Sequence, residues 1–227
     1  MISNVAIAKT NLNLPSNLVC IEVFDGTESY FETVVMAVPS GFDVKNGSYP
    51  GWSVDTRAEM ERSPATHWVY LFSSLNPPTG ELEDKEWDIV NYILNHKQGA
   101  VTDIQEALWY FINMGSNYTP TRQGAWNIIE DAEANGHDFV PEAGQIVAII
   151  CYPTLSFPSE HEAQVSIIEV VAPSPSPSPS PSPSPSPTPT SSRAENILIW
   201  LLIALVAIIS TGSVFTILYK RKKIANR

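Results

Sequence analysis

The residues best placed for covalent chemistry are a serine, a glutamine and two cysteines. Ser53 sits in Gly51-Trp52-Ser53-Val54-Asp55, its hydroxyl between two apolar residues and two positions before a carboxylate. A serine hydroxyl is a poor nucleophile until a neighbouring base takes its proton. Asp55 and His67 lie close enough in sequence to suggest a hydrolase, but GWSVD is not the GxSxG nucleophile elbow, and no triad is read from it. Ser53 also has a plain structural role open to it, as a half-buried strand residue whose hydroxyl bonds locally. Gln105 has one too: Thr102-x-x-Gln105 is a capping-box pattern, in which the amide reaches back to the first turn of a helix.

Cys20 and Cys151 lie in the apolar runs LVCIEVF and IVAIICY, where cysteine serves as a small hydrophobic filler. An outside location would permit them to pair, and that alternative stays open. His67, His96, His137 and His161 show neither HExxH nor paired spacing, so no metal site is read, and nothing calls for a cofactor. The acidic run 81–88 lacks the alternation of a calcium loop and reads as a solvated helix start. Asn46-Gly-Ser48 and Asn117-Tyr-Thr119 fit the N-glycosylation sequon. Tyr49, Trp52 and Tyr118 stand in aromatic stretches that could line a sugar or peptide surface or simply fill the core.

Positioning these side chains requires strands first. Segments 18–24 and 28–37, rich in Val, Ile and aromatics, flank Asp25-Gly26 and read as a hairpin with a tight turn. Segments 52–55 and 67–72 read as two further strands. The period then changes to that of helices: Trp87, Val90 and Leu94 mark one ending near Gly99. Ile104, Leu108 and Phe111 mark a second ending at Gly115, and Ala125, Ile128 and Ile129 a third from Thr121 to Asn135. Strands return at 145–151 and 164–171. The expected fold class is α+β, a mainly antiparallel sheet or sandwich with an inserted helical block, plus one C-terminal transmembrane helix.

Charge divides the chain. Residues 1–170 carry 23 of the 24 acidic groups and 7 of the 13 basic ones, a formal balance of −16. A surface of that sign repels phosphate, so nucleic acid is not an expected partner. Beyond it, residues 173–190 alternate Pro with Ser or Thr, a pattern that builds neither core nor ladder and favours an extended polyproline stalk. Residues 197–219 are 23 residues without a charge and mostly apolar, enough to cross a bilayer, and Lys220, Arg221, Lys222 and Lys223 follow at once. That asymmetry puts the C-terminus in the cytoplasm and the large domain outside.

The expected organisation is therefore an N-terminal extension (1–17), an ectodomain (18–171), a stalk (172–196), a membrane helix (197–219) and a cytoplasmic tail (220–227). Export requires an apolar leader, which residues 1–17 do not contain; a truncated or misassigned start is the preferred expectation, with a different topology as the alternative. The stretch PTPTSSRAEN before the helix has no LPxTG-like sorting motif, so the helix is expected to be retained.

Three segments in order resemble the thioester domains of bacterial surface adhesins. Gly51 to Asp55 is similar to that family's aromatic-Cys-hydrophobic-Asp stretch. Asp103 to Trp109 resembles its hydrophobic-Gln-x-Ala-hydrophobic-Trp helix start, and Pro141 to Ile150 its strand after the helical block. The resemblance implies that Gln105 stands at the acylating glutamine and Ser53 at the cysteine. In the family the thiol attacks the glutamine amide, ammonia leaves, and the thioester acylates an amine on a host molecule. With Ser53 in place of cysteine, thioester capture is excluded, and an ester to Gln105 would be far less electrophilic. The resemblance thus implies a non-enzymatic adhesion or recognition module, displayed at the membrane for an unknown surface protein or glycan. The competing expectations are an internal Ser53–Gln105 ester, as cross-link or weak acyl donor, and a purely structural envelope protein.

Overall fold

A computed structural model describes residues 12–114, 117–154 and 163–174, all within one unit, Met1–Ser176. The described strands are β1 (Val19–Asp25), β2 (Phe31–Met36), β3 (Gly47–Ser53), β4 (Thr66–Ser73), β5 (Ile146–Pro153) and β6 (Ser166–Val171). Between β4 and β5 run α1 (Trp87–Asn95), α2 (Val101–Ile112) and α3 (Gln123–Asn135). Every strand pairing is antiparallel, and the order β1-β2-β3-β6-β5-β4 closes on itself into a barrel. Ile21 shows the closure: it lies opposite Val35 of β2 on one side and His67 of β4 on the other.

The barrel has a side-chain interior and one covered outer wall, and the strand sequences differ accordingly. In β1 and β2, Val19, Ile21, Val23, Phe31 and Val35 are buried in alternation with partly exposed residues, as expected where one face meets the core. β5 and β6 are buried on both faces: Val147, Ile149 and Ile168 face the interior, while Ala148, Ile150 and Ile167 meet the helices. Hence their nearly continuous apolar runs. Trp52 and Val54 join that second core with Ile93, Leu94, Leu108, Ile112 and Ile129. Beside it the buried carboxylate of Glu169 accepts hydrogen bonds from Trp52 Nε1 at 2.8 Å and from Lys97 Nζ at 2.7 Å, the pairing that a buried charge requires.

The inserted helical block agrees with the sequence; several finer expectations do not. The sheet is neither open nor a sandwich but a closed barrel. The first hairpin has no two-residue turn: five residues separate Asp25 from Phe31, with Gly26 N–H donating to Tyr30 O at 3.3 Å. The loop is folded inward, Ser29 Oγ donating to Phe31 O at 2.6 Å, and a Cβ on Gly26 would fall 2.1 Å from Ser29 O. β3 begins at Gly47, not 52, and stops at Ser53; its first half is not legible in the sequence because Pro50, which has no donor to give, reads as a strand breaker.

Both cysteines are free thiols. Cys151 faces the barrel interior, and burial pushes its thiol up to about 12. Cys20 is half-buried on the other face of its strand, between the inward-facing Val19 and Ile21. The filler role thus fits Cys151 better than Cys20. Residues 197–219 and most of the repeat at 173–190 lie outside the described residues; among the described residues no helix is long and apolar enough to cross a membrane.

Candidate functional site

One end of the barrel brings together Ser53, Gln105 and Trp109 of the motif, while the start of β5 lies at the other end, where Ile146 pairs with Val171. At the Ser53 end β3 stops at Ser53 and β1 at Asp25, and β6 begins at Ser166, two residues after Gln164. Antiparallel strands point successive backbone N–H and C=O pairs to opposite sides. Val54 N–H bonds to Val165 O next to β6, at 3.1 Å, so the polar groups of Ser53 point away from β6, where β2 has already ended at Phe31. α2 fills that vacant side. Ser53 N–H donates to Gln105 Oε1 and Gln105 Nε2 donates to Ser53 O, both at 2.9 Å, with Ser53 and Gln105 each 1% exposed.

This corrects the capping-box reading of Gln105. Helix α2 starts at Val101, and its first turn is served instead by Asp103, whose Oδ2 accepts from Ala100 N–H at 3.1 Å. Gln105 therefore lies a turn inside the helix, on the face pressed against β3. Ser53 and Gln105, paired by the motif, do meet; the contact runs through the serine backbone.

The Ser53 hydroxyl turns elsewhere. Its Oγ donates to Gln164 Oε1 at 2.6 Å and accepts from Trp109 Nε1 at 3.2 Å, with Asp55 O 3.3 Å away. No carboxylate or imidazole among these partners could serve as a base. His67 lies on β4 with Nε2 2.9 Å from Glu61 O, and Asp55 holds Arg57 Nε and Nη2 at 3.0 Å each, so the two do not join Ser53 in a triad.

Around this point α2 arranges a wall. Trp109 meets Tyr30 edge-on, centroids 5.6 Å apart, and Tyr118 at 5.1 Å. The loop carrying Tyr118 is tied down by Glu106, which accepts from Thr121 N–H and Oγ1 at 2.8 Å and from Arg122 N–H at 3.0 Å. Burial pushes the Glu106 carboxyl up, but the bonds from Thr121 and Arg122 together outweigh it and leave it below its ordinary value. Asp103 is also held low, chiefly by its bond from Arg122 Nε. Gly124 lets this happen: a Cβ there would stand 2.4 Å from the Asp103 carboxylate.

The mouth is an open pocket of about 470 Å³ whose lining includes Tyr30, Ser53, Asp55, Glu59, Arg62 and Trp109. Arg62 crosses it, pairing with Asp25 at 3.0 Å and stacking 4.3 Å over the Phe31 ring. Among the described residues no group of His, Cys, Asp or Glu is arranged to hold a metal ion. Of the other sequence candidates, Trp52 is core, Tyr49 bonds to the Lys45 backbone, and Tyr118 alone joins the wall. Asn46 spends its amide on Val38, accepting from its N–H at 2.8 Å, whereas Asn117 is exposed. His161 lies outside the described residues. Sequence reasoning missed Gln164, Tyr30 and Glu106, since each reaches the mouth through strand order or a loop contact that no local pattern encodes.

No protein-family model matches the chain. No curated protein matches it. Among solved structures it is similar to the N-terminal thioester domain of a surface protein from Clostridium perfringens, at 10% identity and a TM-score of 0.43, over 66% of this chain and 97% of that one.

Proposed function

We propose that the domain is a non-covalent recognition module for adhesion, which engages its ligand at the barrel mouth and forms no acyl bond of its own. The observation that supports this most directly is the allocation of hydrogen bonds around Ser53. Acyl transfer needs the nucleophile aligned on the amide carbon with a base at hand. Instead the Gln105 amide is held at both ends by the Ser53 backbone, and the hydroxyl is engaged by Gln164 and Trp109. The buried pair acts as a clasp between α2 and β3, and the clasp keeps the Trp109 wall in place above the mouth.

Display at a cell surface belongs to the same reading. It rests on the sequence: the apolar stretch 197–219, the basic residues 220–223 that favour a cytoplasmic C-terminus, and the resemblance of three ordered segments to adhesin thioester domains. The partner is then a surface protein or glycan outside the cell.

Intact mass spectrometry of the full chain tests the non-covalent part. The expected mass is that of the unmodified sequence; a mass lower by one ammonia would reveal an ester or other acyl bond and overturn it.

A further inference from the structure

We infer that the ligand of the barrel mouth is a neutral carbohydrate, a step that rests on the recognition role proposed above and narrows it. A pyranose presents two chemistries at once: a face of C–H groups that packs on aromatic rings, and a rim of hydroxyls that both donate and accept. The mouth offers a counterpart to each.

Tyr30 and Trp109 line it with their ring planes at 73°, making an aromatic corner. The polar lining supplies acceptors and donors together. Asp25 is paired with Arg62, and Asp55 with Arg57, so two of the three carboxylates at the mouth are already neutralised. An anionic ligand would have to break one of those pairs to reach an arginine, and a cation would find unpaired only the solvent-screened Glu59 at the rim, whereas a polyol hydrogen-bonds to both members of a pair without separating them. Glu59 and Thr56, both exposed, add an acceptor and a hydroxyl at the rim.

Size agrees. A volume of about 470 Å³ lies within the usual range of small-molecule sites and suits one or two sugar rings. A folded protein partner would instead need a broad surface with buried apolar anchors. The large exposed apolar side chains Trp68, Tyr70 and Tyr152 belong to β4 and β5 and line no part of this pocket.

The test is saturation-transfer NMR on the full chain in detergent. Probes are glucose, galactose, mannose, N-acetylglucosamine and their β-linked disaccharides, with glucosamine as cationic and N-acetylneuraminic acid as anionic control. Saturable transfer is expected from at least one neutral probe and from neither control. Binding should weaken about tenfold in Tyr30→Ala and measurably in Glu59→Ala, an exposed site whose substitution does not threaten folding. If no neutral probe binds, or if Glu59→Ala and Tyr30→Ala both leave binding unchanged, the carbohydrate assignment is overturned. A peptide library that binds and is lost in those two variants would also overturn it while leaving recognition at the mouth standing. Ligands unaffected by either variant would remove both.

Discussion

The side-chain amide of Gln105 completes the hydrogen-bond ladder of Ser53 as a neighbouring strand residue would, accepting from its N–H and donating to its C=O at 2.9 Å each. A helix residue thus continues a sheet at the point where β2 runs out. Clasps of this kind are stiff because both partners are buried and neither has water to fall back on.

Removing the clasp should be costly. Gln105→Leu leaves the Ser53 N–H and C=O buried and unbonded, at about 1–3 kcal/mol for each orphaned group. Chemical denaturation should show that loss as a lower midpoint with an unchanged slope. Gln105→Glu is expected to behave differently with pH: its protonated acid can restore both bonds and its carboxylate cannot, so this variant should gain stability as pH falls.

Restoring a thiol tests how firmly the amide is held. In Ser53→Cys the sulfur is larger than the oxygen it replaces and bonds more weakly to Trp109 and Gln164, so a loss of about 1–3 kcal/mol is expected from a site 1% exposed. Because Gln105 stays bound to the backbone, the intact mass should show no loss of ammonia and methylamine should not be incorporated. Amine incorporation would mean that the amide can swing from the backbone to the side chain.

Acid should loosen the loop that carries Tyr118. Asp103 and Glu106 both have folded-state pKa values below their ordinary 3.8 and 4.5. A depressed carboxylate contributes stability that is present above its unfolded value and is lost as pH falls through the folded one. Stability should therefore hold near neutrality and decline below about pH 4.5, with the fluorescence of Trp109 changing as Tyr118 departs. Glu106→Gln should be less stable at neutral pH, having lost a charged acceptor for three donors, and its acid decline should be shallower. Equal slopes in the two proteins would place the acid sensitivity elsewhere.

The two thiols should differ in reactivity. With the Cys151 thiol pushed up to about 12 and fully buried, a maleimide at neutral pH should label at most Cys20 in the native chain and both after denaturation. Cys20 is also raised, first by burial, so its labelling should be slow. Non-reducing mass analysis should find no disulfide.

Periodicity revealed the three helices and most strands because burial imprints itself on local pattern: the alternation in β1 and the unbroken runs of β5 and β6 both report how many faces are covered. Barrel closure left no such imprint, since it depends on which strands pair at long range. Gln105 was visible as a motif residue and the motif paired it with Ser53, but the capping-box reading of its amide failed. A capping box is a local rule, and here a tertiary contact with Ser53 prevailed, while Asp103 served the helix start. Gln164 carried no signal at all; only the neighbouring of β3 and β6, with Ser53 opposite Ser166, brings it to the serine.

β6 joins the two ends of the domain: Gln164, which holds Ser53 at the mouth, lies two residues before it, and Val171 closes it at the far end. Its neighbours β3 and β5 both run antiparallel to it. Tension between a ligand seized at the mouth and a chain drawn from Val171 would load this strand lengthwise, in shear. Its ladder bonds would then share the force instead of breaking in sequence, making the strand that supplies the site also the mechanical spine of the domain.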